Sequence, residues 1–403
     1  MGVTMATTET TTEGTAQPPV LDYDYTRIQP AGSHQDDLDR FRSQFPFFKS
    51  SWAQGFWVLT RLDSIRSAFQ DPRTFSSTAI VAYEPDPPYM WIPEQLDPPA
   101  HTKWRQLLAP RFSPGAVNRL EEKVRRRCVE LIEPFAGRGH VDFLRDFARK
   151  YPTTIFMELM GLPTGEAAKF MKWEDEILHL PADQDPDRLR AYTAMGEVTA
   201  YFSELIAERR REPRDDLISE ALTWKIDGEP IPPDALQSFC LLMFMAGLDT
   251  VTIQLSYSWW HLATHEEDRR RVATEPSVIP SAIEELLRYY AFVAPGRKVM
   301  ADVEHQGCPM KKGDMVLLPL CAATRDPEAF EDADKVILDR QVNNHVAFGV
   351  GPHRCLGSHL ARRELKVAME EWHKRIPEYR LPEGAEVLQH GGMFGIDNLE
   401  LVW

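Results

Sequence analysis

The sequence predicts a mainly α-helical protein with small β-sheets, and three observations predict it. Apolar residues recur at spacings of three and four through residues 101–221, as in Val124, Cys128, Leu131 and Ile132. A segment of about twenty-five residues or more after Pro232 and Pro233 is apolar on nearly every side, which puts a long helix through the middle of the molecule. Alternation of apolar and polar residues, the strand signature, occurs only in short runs.

The 403 residues, 43% hydrophobic and 10% aromatic, can bury a substantial core, so wholesale disorder is excluded. Net charge is −15 from 46 basic and 61 acidic side chains, the opposite of a generic nucleic-acid binder. No repeat or linker divides the chain, and residues 21–403 read as one domain. Residues 1–20, rich in Thr and Glu, read as a disordered tail without the basic start and apolar run of a signal peptide. No later stretch is expected to span a bilayer, so the protein reads as soluble and cytoplasmic. The cysteines Cys128, Cys240, Cys308, Cys321 and Cys355 are odd in number and lack zinc-ligand spacing. They fit a reducing compartment, and four read as small buried apolar residues.

Along the chain, FWVL at residues 56–59 reads as a strand and residues 62–69 as a helix. Residues 82–99 carry six prolines and three large aromatics, an irregular loop suited to a binding wall or to simple surface packing. Pro134, Pro163, Pro181 and Pro213 punctuate the helices that follow, and the charge run at residues 208–216 reads as a solvated helix end. Asp234 is an early-turn acid for the long helix. Residues 296–305 and 307–320 read as a small sheet turning at Lys312 and Gly313. Helix, irregular loop, helix and terminal strands complete the chain.

Four motifs carry chemistry. In FGVGPHRCLGSHLARRE, residues 348–364, glycines allow a tight turn before Cys355 at the start of a helix. The helix dipole, Arg354 and His353 would favour its thiolate, so Cys355 reads as a nucleophile, a metal ligand or a buried turn residue. AGLDT, residues 246–250, places a glycine, an acid and a hydroxyl inside the long apolar helix, where they are costly unless they serve something: room for a ligand against the backbone, or only a water-filled kink without chemistry. In EELLR, Glu285 and Arg288 share one helix face; in HTKWR, His101 and Arg105 do. Two neighbouring cations make sense beneath a common anion.

In this order and spacing the motifs resemble the cytochrome P450 family across the globular chain, together with the GRKV strand and the ATRDP loop at residues 323–327. YMWIPEQLDPP, AGLDTV, EELLRYY, MKKGDMVLL, LGSHLARRE and the ending LVW are similar to the soluble bacterial camphor monooxygenase group. The resemblance implies a triangular, mostly helical core with the long central helix, the family's I-helix, over haem b. Cys355 would be the axial thiolate of the iron, in a haem loop that includes Phe348, Gly349, His353 and Gly357. Asp249 and Thr250 would be the acid–alcohol pair that brings protons to reduced dioxygen, with Ala246 and Gly247 leaving room beside it. His101, Arg105, Arg297 and His353 would hold the haem propionates. Glu285, Arg288 and Arg340 would form a buried structural ion-pair cluster.

For the substrate, the resemblance places the Tyr89 hydroxyl on a substrate carbonyl. Trp91, Leu242, Met245, Val293, Met393 and Phe394 would wall the pocket of a compact, terpenoid-like molecule. Electrons from NAD(P)H would arrive through a ferredoxin reductase and a [2Fe–2S] ferredoxin. The ferredoxin would dock on a basic face of Arg105, Arg111, Arg354, Arg362 and Arg363, and the enzyme would act as a monomer. Two other functions compete: a haem sensor or carrier without turnover, and a peroxide-driven haem enzyme. The intact Asp249–Thr250 pair speaks against both.

Overall fold

The computed structural model describes residues 18–180 and 183–403. The expected tail therefore lies outside the described residues except for residues 18–20, and Pro181 lies outside them too. Helices dominate: α1 (Ser33–Gln44), α2 (Ala100–Leu108), α3 (Pro114–Ile132), α4 (Lys150–Met160) and α5 (Ala167–Glu174), the last extended by a π-helical turn at Asp175–His179. There follow α6 (Leu189–Arg211), α7 (Pro233–Thr264), α8 (Ile279–Tyr289) and α9 (Ser358–Arg375). The mixed main sheet comprises β1 (Val20–Leu21), β2 (Phe47–Ser50), β3 (Phe56–Leu59), β4 (Phe75–Ser76), β5 (Gly296–Val299) and β6 (Met315–Leu317), in the order β1-β2-β3-β6-β5-β4. Val20 pairs with Lys49, so the strand begins inside the stretch assigned to the tail.

FWVL forms β3 with all four side chains buried, and the helix expected at residues 62–69 spans Leu62–Gln70. No helix or strand interrupts residues 82–99. That loop is tied down by its own polar groups: the Gln95 side chain accepts from Trp91 N–H at 2.6 Å and donates to the Thr78 carbonyl at 3.1 Å. Asp97 accepts from the Ser76 hydroxyl at 2.5 Å and from Ser77 N–H at 3.0 Å, fixing the loop's end to β4.

Pro233 and Asp234 open α7, where a missing N–H and a negative charge are both favourable. Its 32 residues span roughly 48 Å. By length and composition α7 could cross a bilayer, contrary to expectation, yet 72% of its most apolar window is buried within the protein. It is a core helix, shared between two apolar clusters. Its first half, Leu236 to Leu248, packs with Trp104, Phe156 and Phe202; its second half packs Trp259 with Phe143 and Trp372.

Candidate active site

The glycine-rich segment before α9 folds into a tight turn. Cys355 N–H donates to the Phe348 carbonyl at 2.8 Å and Gly349 N–H to Val346 at 2.7 Å. Gly351 has a φ of 77°, and a Cβ there would lie 2.6 Å from the Phe69 carbonyl oxygen, so only glycine lets the loop approach the helix behind it. Cys355 is exposed at the end of this turn, whereas Cys128, Cys240, Cys308 and Cys321 are buried as expected. Although the sulfur is open on one side, the surrounding protein raises its pKa, and Gly357 N–H, Arg105 and Arg354 oppose the rise only in part. Arg354 thus acts on the sulfur in the expected direction but is outweighed by burial, and a bound metal ion would deprotonate it outright.

Cations converge on the same loop. The rings of His101, on α2, and His353 lie 3.9 Å apart. Arg105, one turn along α2, donates to the Arg354 carbonyl at 2.6 Å. Buried Arg297, on β5, donates to its neighbouring Gly296 carbonyl and lies 5.1 Å above the Phe69 ring. The nearest carboxylate is Glu94, 3.6 Å from His353. Nδ1 of His101 and both ring nitrogens of His353 are buried without a partner. Burial, then repulsion from His353 and Arg105, pushes His101 down to about 4; burial also lowers Arg105 and Arg297. Two guanidiniums sharing one carboxylate, Glu94, suit an anionic ligand, and the partnerless ring nitrogens of His101 and His353 with the open cysteine fit the two propionates and iron of a haem.

From α7, Ala246 is exposed and Thr250 half-buried, so this helix face borders open space. The Thr250 hydroxyl donates to the Ala246 carbonyl at 3.2 Å. Gly247 does not share that face: a Cβ there would sit inside the Phe156 ring of α4. Its missing side chain admits a neighbouring helix and not a ligand, which corrects the role expected for it.

Asp249 is buried and meets His179 Nε2 at 2.9 Å. His179 Nδ1 meets Asp175 at 3.1 Å, and the Asp175 side chain is 46% exposed. Burial depresses His179, but Asp249 and Asp175 outweigh it and raise its pKa well above 6.5. Burial works against the Asp249 carboxylate, and His179 more than compensates, holding its pKa low. Asp249, Glu174 and both histidines His179 and His390 thus share one buried polar cluster. Sequence reasoning missed His179, His390 and Glu94. The spacing of Asp175 and His179 on one helical face was the only local signal for any of them.

The substrate residues divide. Tyr89 stacks on Trp91 with ring centres 4.9 Å apart. Its hydroxyl donates to Glu84 at 2.7 Å, so a carboxylate holds the position expected for a substrate carbonyl. Glu84 also accepts from Arg188 at 3.2 Å and from Tyr192, joining the 82–99 loop to the start of α6. Leu242 and Met245 are buried in the α7 cluster, and Val293 and Met393 are half-buried. Phe394 is wholly buried and stacks on His34 at 4.5 Å; it packs α1 and is not a pocket wall. A cavity of about 350 Å³ is lined by Glu84, His179, Arg188 and His390, so it borders the cluster around Asp249.

Glu285 and Arg288 are fully buried and doubly hydrogen-bonded at 2.8 Å, with Arg340 donating to Glu285 at 2.9 and 3.0 Å. The expected basic face is largely neutralised. Arg362 pairs with Glu284 at 2.6 Å, Arg363 with Glu121 and Arg111 with Glu220. Arg354 is exposed and forms no ion pair among the described residues.

A long buried helix with an acid and a hydroxyl, opposite an open cysteine among unpaired cations, defines a protein built around an iron-bearing, dianionic prosthetic group. The chain belongs to the cytochrome P450 family, whose model matches residues 35–372. It is 36% identical over 353 residues to "Probable cytochrome P450 127A1" of Sinorhizobium fredii, covering 87% of this chain and 84% of that one. It is 33% identical over 356 residues to the Vitamin D(3) 25-hydroxylase of Pseudonocardia autotrophica, covering 86% and 87%. Among solved structures, CYP101J2 superposes with a TM-score of 0.85 at 31% identity, covering 95% of this chain and 96% of that one. The protein is a P450 monooxygenase of the bacterial type, with haem b on a cysteine thiolate and dioxygen as co-substrate. Members of this family usually take electrons from redox partners.

Proposed function

We propose that Cys355 is the axial thiolate and that the enzyme hydroxylates a compact, apolar, terpenoid-like molecule. The observation that carries the assignment of the haem residues is the set of partnerless ring nitrogens of His101 and His353 beside Arg105 and Arg297, whose guanidiniums bond only backbone carbonyls at the cysteine loop and strand β5. His101, Arg105, Arg297 and His353 would neutralise the propionates, which relieves the repulsion among them. When bound, the haem supplies dioxygen activation with two electrons and two protons, giving one hydroxyl group and one water. The chain's own residues position and protonate. Thr250, its hydrogen engaged by the Ala246 carbonyl, leaves oxygen lone pairs facing the open side of α7. Asp249 draws protons from His179, which reaches the half-exposed Asp175.

Electrons come from NAD(P)H through a ferredoxin reductase and a [2Fe–2S] ferredoxin. Exposed Arg354 with Arg105 supports a docking point beside the cysteine loop, narrower than the five-arginine face expected. The stacked Tyr89 and Trp91 favour an apolar substrate. A single domain over residues 21–403, acting as a soluble cytoplasmic monomer, completes the reading. Screening small apolar compounds for a low-to-high-spin shift tests it. Terpenoid-like ligands should shift the haem; a response confined to large or charged compounds contradicts the substrate class.

A further inference from the structure

We propose that His179, Asp249 and His390 form a site for a divalent zinc-type cation. Each offers one ligand atom, and the three atoms lie within 4.8 Å of one another. His390 Nδ1 bonds Asp397 at 2.5 Å, which leaves Nε2 of a side chain only 7% exposed with no partner. His179 is arranged in the same way, with Nδ1 on Asp175 at 3.1 Å and Nε2 turned to Asp249 at 2.9 Å. A carboxylate on Nδ1 that orients Nε2 inward is how metal-binding histidines are held. The two rings lie 4.5 Å apart, and the Oε1 of buried Glu174 is likewise without a partner.

Two imidazoles and one carboxylate suit zinc, not magnesium or calcium, which take mainly oxygen ligands. Tetrahedral bonds of about 2.0–2.1 Å put ligand atoms roughly 3.3 Å apart, a contraction that side-chain rotation can supply. Both histidines line the cavity of about 350 Å³, which gives the ion an access route. The consequence rests on the proton role proposed for Asp249: a cation there withholds that carboxylate and throttles turnover.

The test is calorimetric titration of zinc into chelator-treated, haem-loaded enzyme, with magnesium as the comparison ion. One zinc per chain should bind, and magnesium should not compete. Asp397→Asn, which keeps the shape, should weaken zinc by roughly 10–100-fold, and His390→Ala should remove the site. Absence of saturable binding, or equal zinc affinity in wild type and both variants, overturns the proposal. The reduced, carbon-monoxide-bound spectrum of the same samples reports the haem reading separately, because it does not depend on zinc.

Discussion

Asp249 rests against His179 at 2.9 Å, and the second nitrogen of that imidazole touches Asp175 at 3.1 Å, so one ring links a buried carboxylate to a half-exposed one. If this link feeds protons to the site, Asp249→Asn should lower kcat on the order of 10²-fold or more. His179→Gln should give a smaller fall with a larger solvent isotope effect. Thr250→Ala should keep the haem spectrum and divert reducing equivalents to peroxide. Turnover rates in ordinary and heavy water check the first two and NADH consumed per product formed checks the third; unchanged coupling in Thr250→Ala contradicts the assignment.

Arg288 reaches more than Glu285: its guanidinium also donates to the carbonyls of Thr324, Ala333 and Lys335 at 2.7–2.9 Å. Removing it leaves buried Glu285 with Arg340 as its remaining cation and takes the guanidinium donor from the carbonyls of Thr324 and Ala333. Arg288→Ala should cost about 3–5 kcal/mol and yield largely haem-free protein. Haem content and Tm check this, and soluble, fully loaded Arg288→Ala would contradict it.

Glu284 gives a pH signature. Burial opposes its charge, but Arg362 and His345 prevail and pull its pKa down to about 2. A depressed carboxyl contributes stability above its unfolded pKa, near 4.5, and loses it as pH falls toward 2. Urea unfolding from pH 5 downward should therefore show declining stability that is flatter in Glu284→Gln.

The fold was largely legible. Pro232, Pro233 and Asp234 mark the start of α7 because they suit a helix N-terminus whatever surrounds them. Cys355, Glu285 and Arg288 were legible because the motifs keep their spacing. What stayed hidden depends on remote partners. A glycine inside a helix reads the same whether a ligand or Phe156 fills its place, so Gly247 misled. Arg362 and Arg363 look like a basic face until Glu284 and Glu121 are brought to them. His179 and His390 carry no motif, and only folding unites them with Asp249.

Arg354 should matter most for electron delivery. Charge attraction at an exposed site is screened beyond about 10 Å at 0.1 M salt, so docking through Arg354 should weaken as salt rises. Arg354→Glu should raise the KM for ferredoxin and flatten its salt dependence while leaving the spectrum intact. Arg362→Glu should instead lower stability, because it breaks an internal pair. Ferredoxin-titrated turnover at two salt concentrations, with Tm, separates the two.

The absorption spectrum of the reduced, carbon-monoxide-bound protein, compared between wild type and Cys355→His, tests the central assignment most directly. Wild type should show the thiolate-ligated band, and Cys355→His should retain some haem while losing that band and most activity. A thiolate band that persists in Cys355→His would contradict the account.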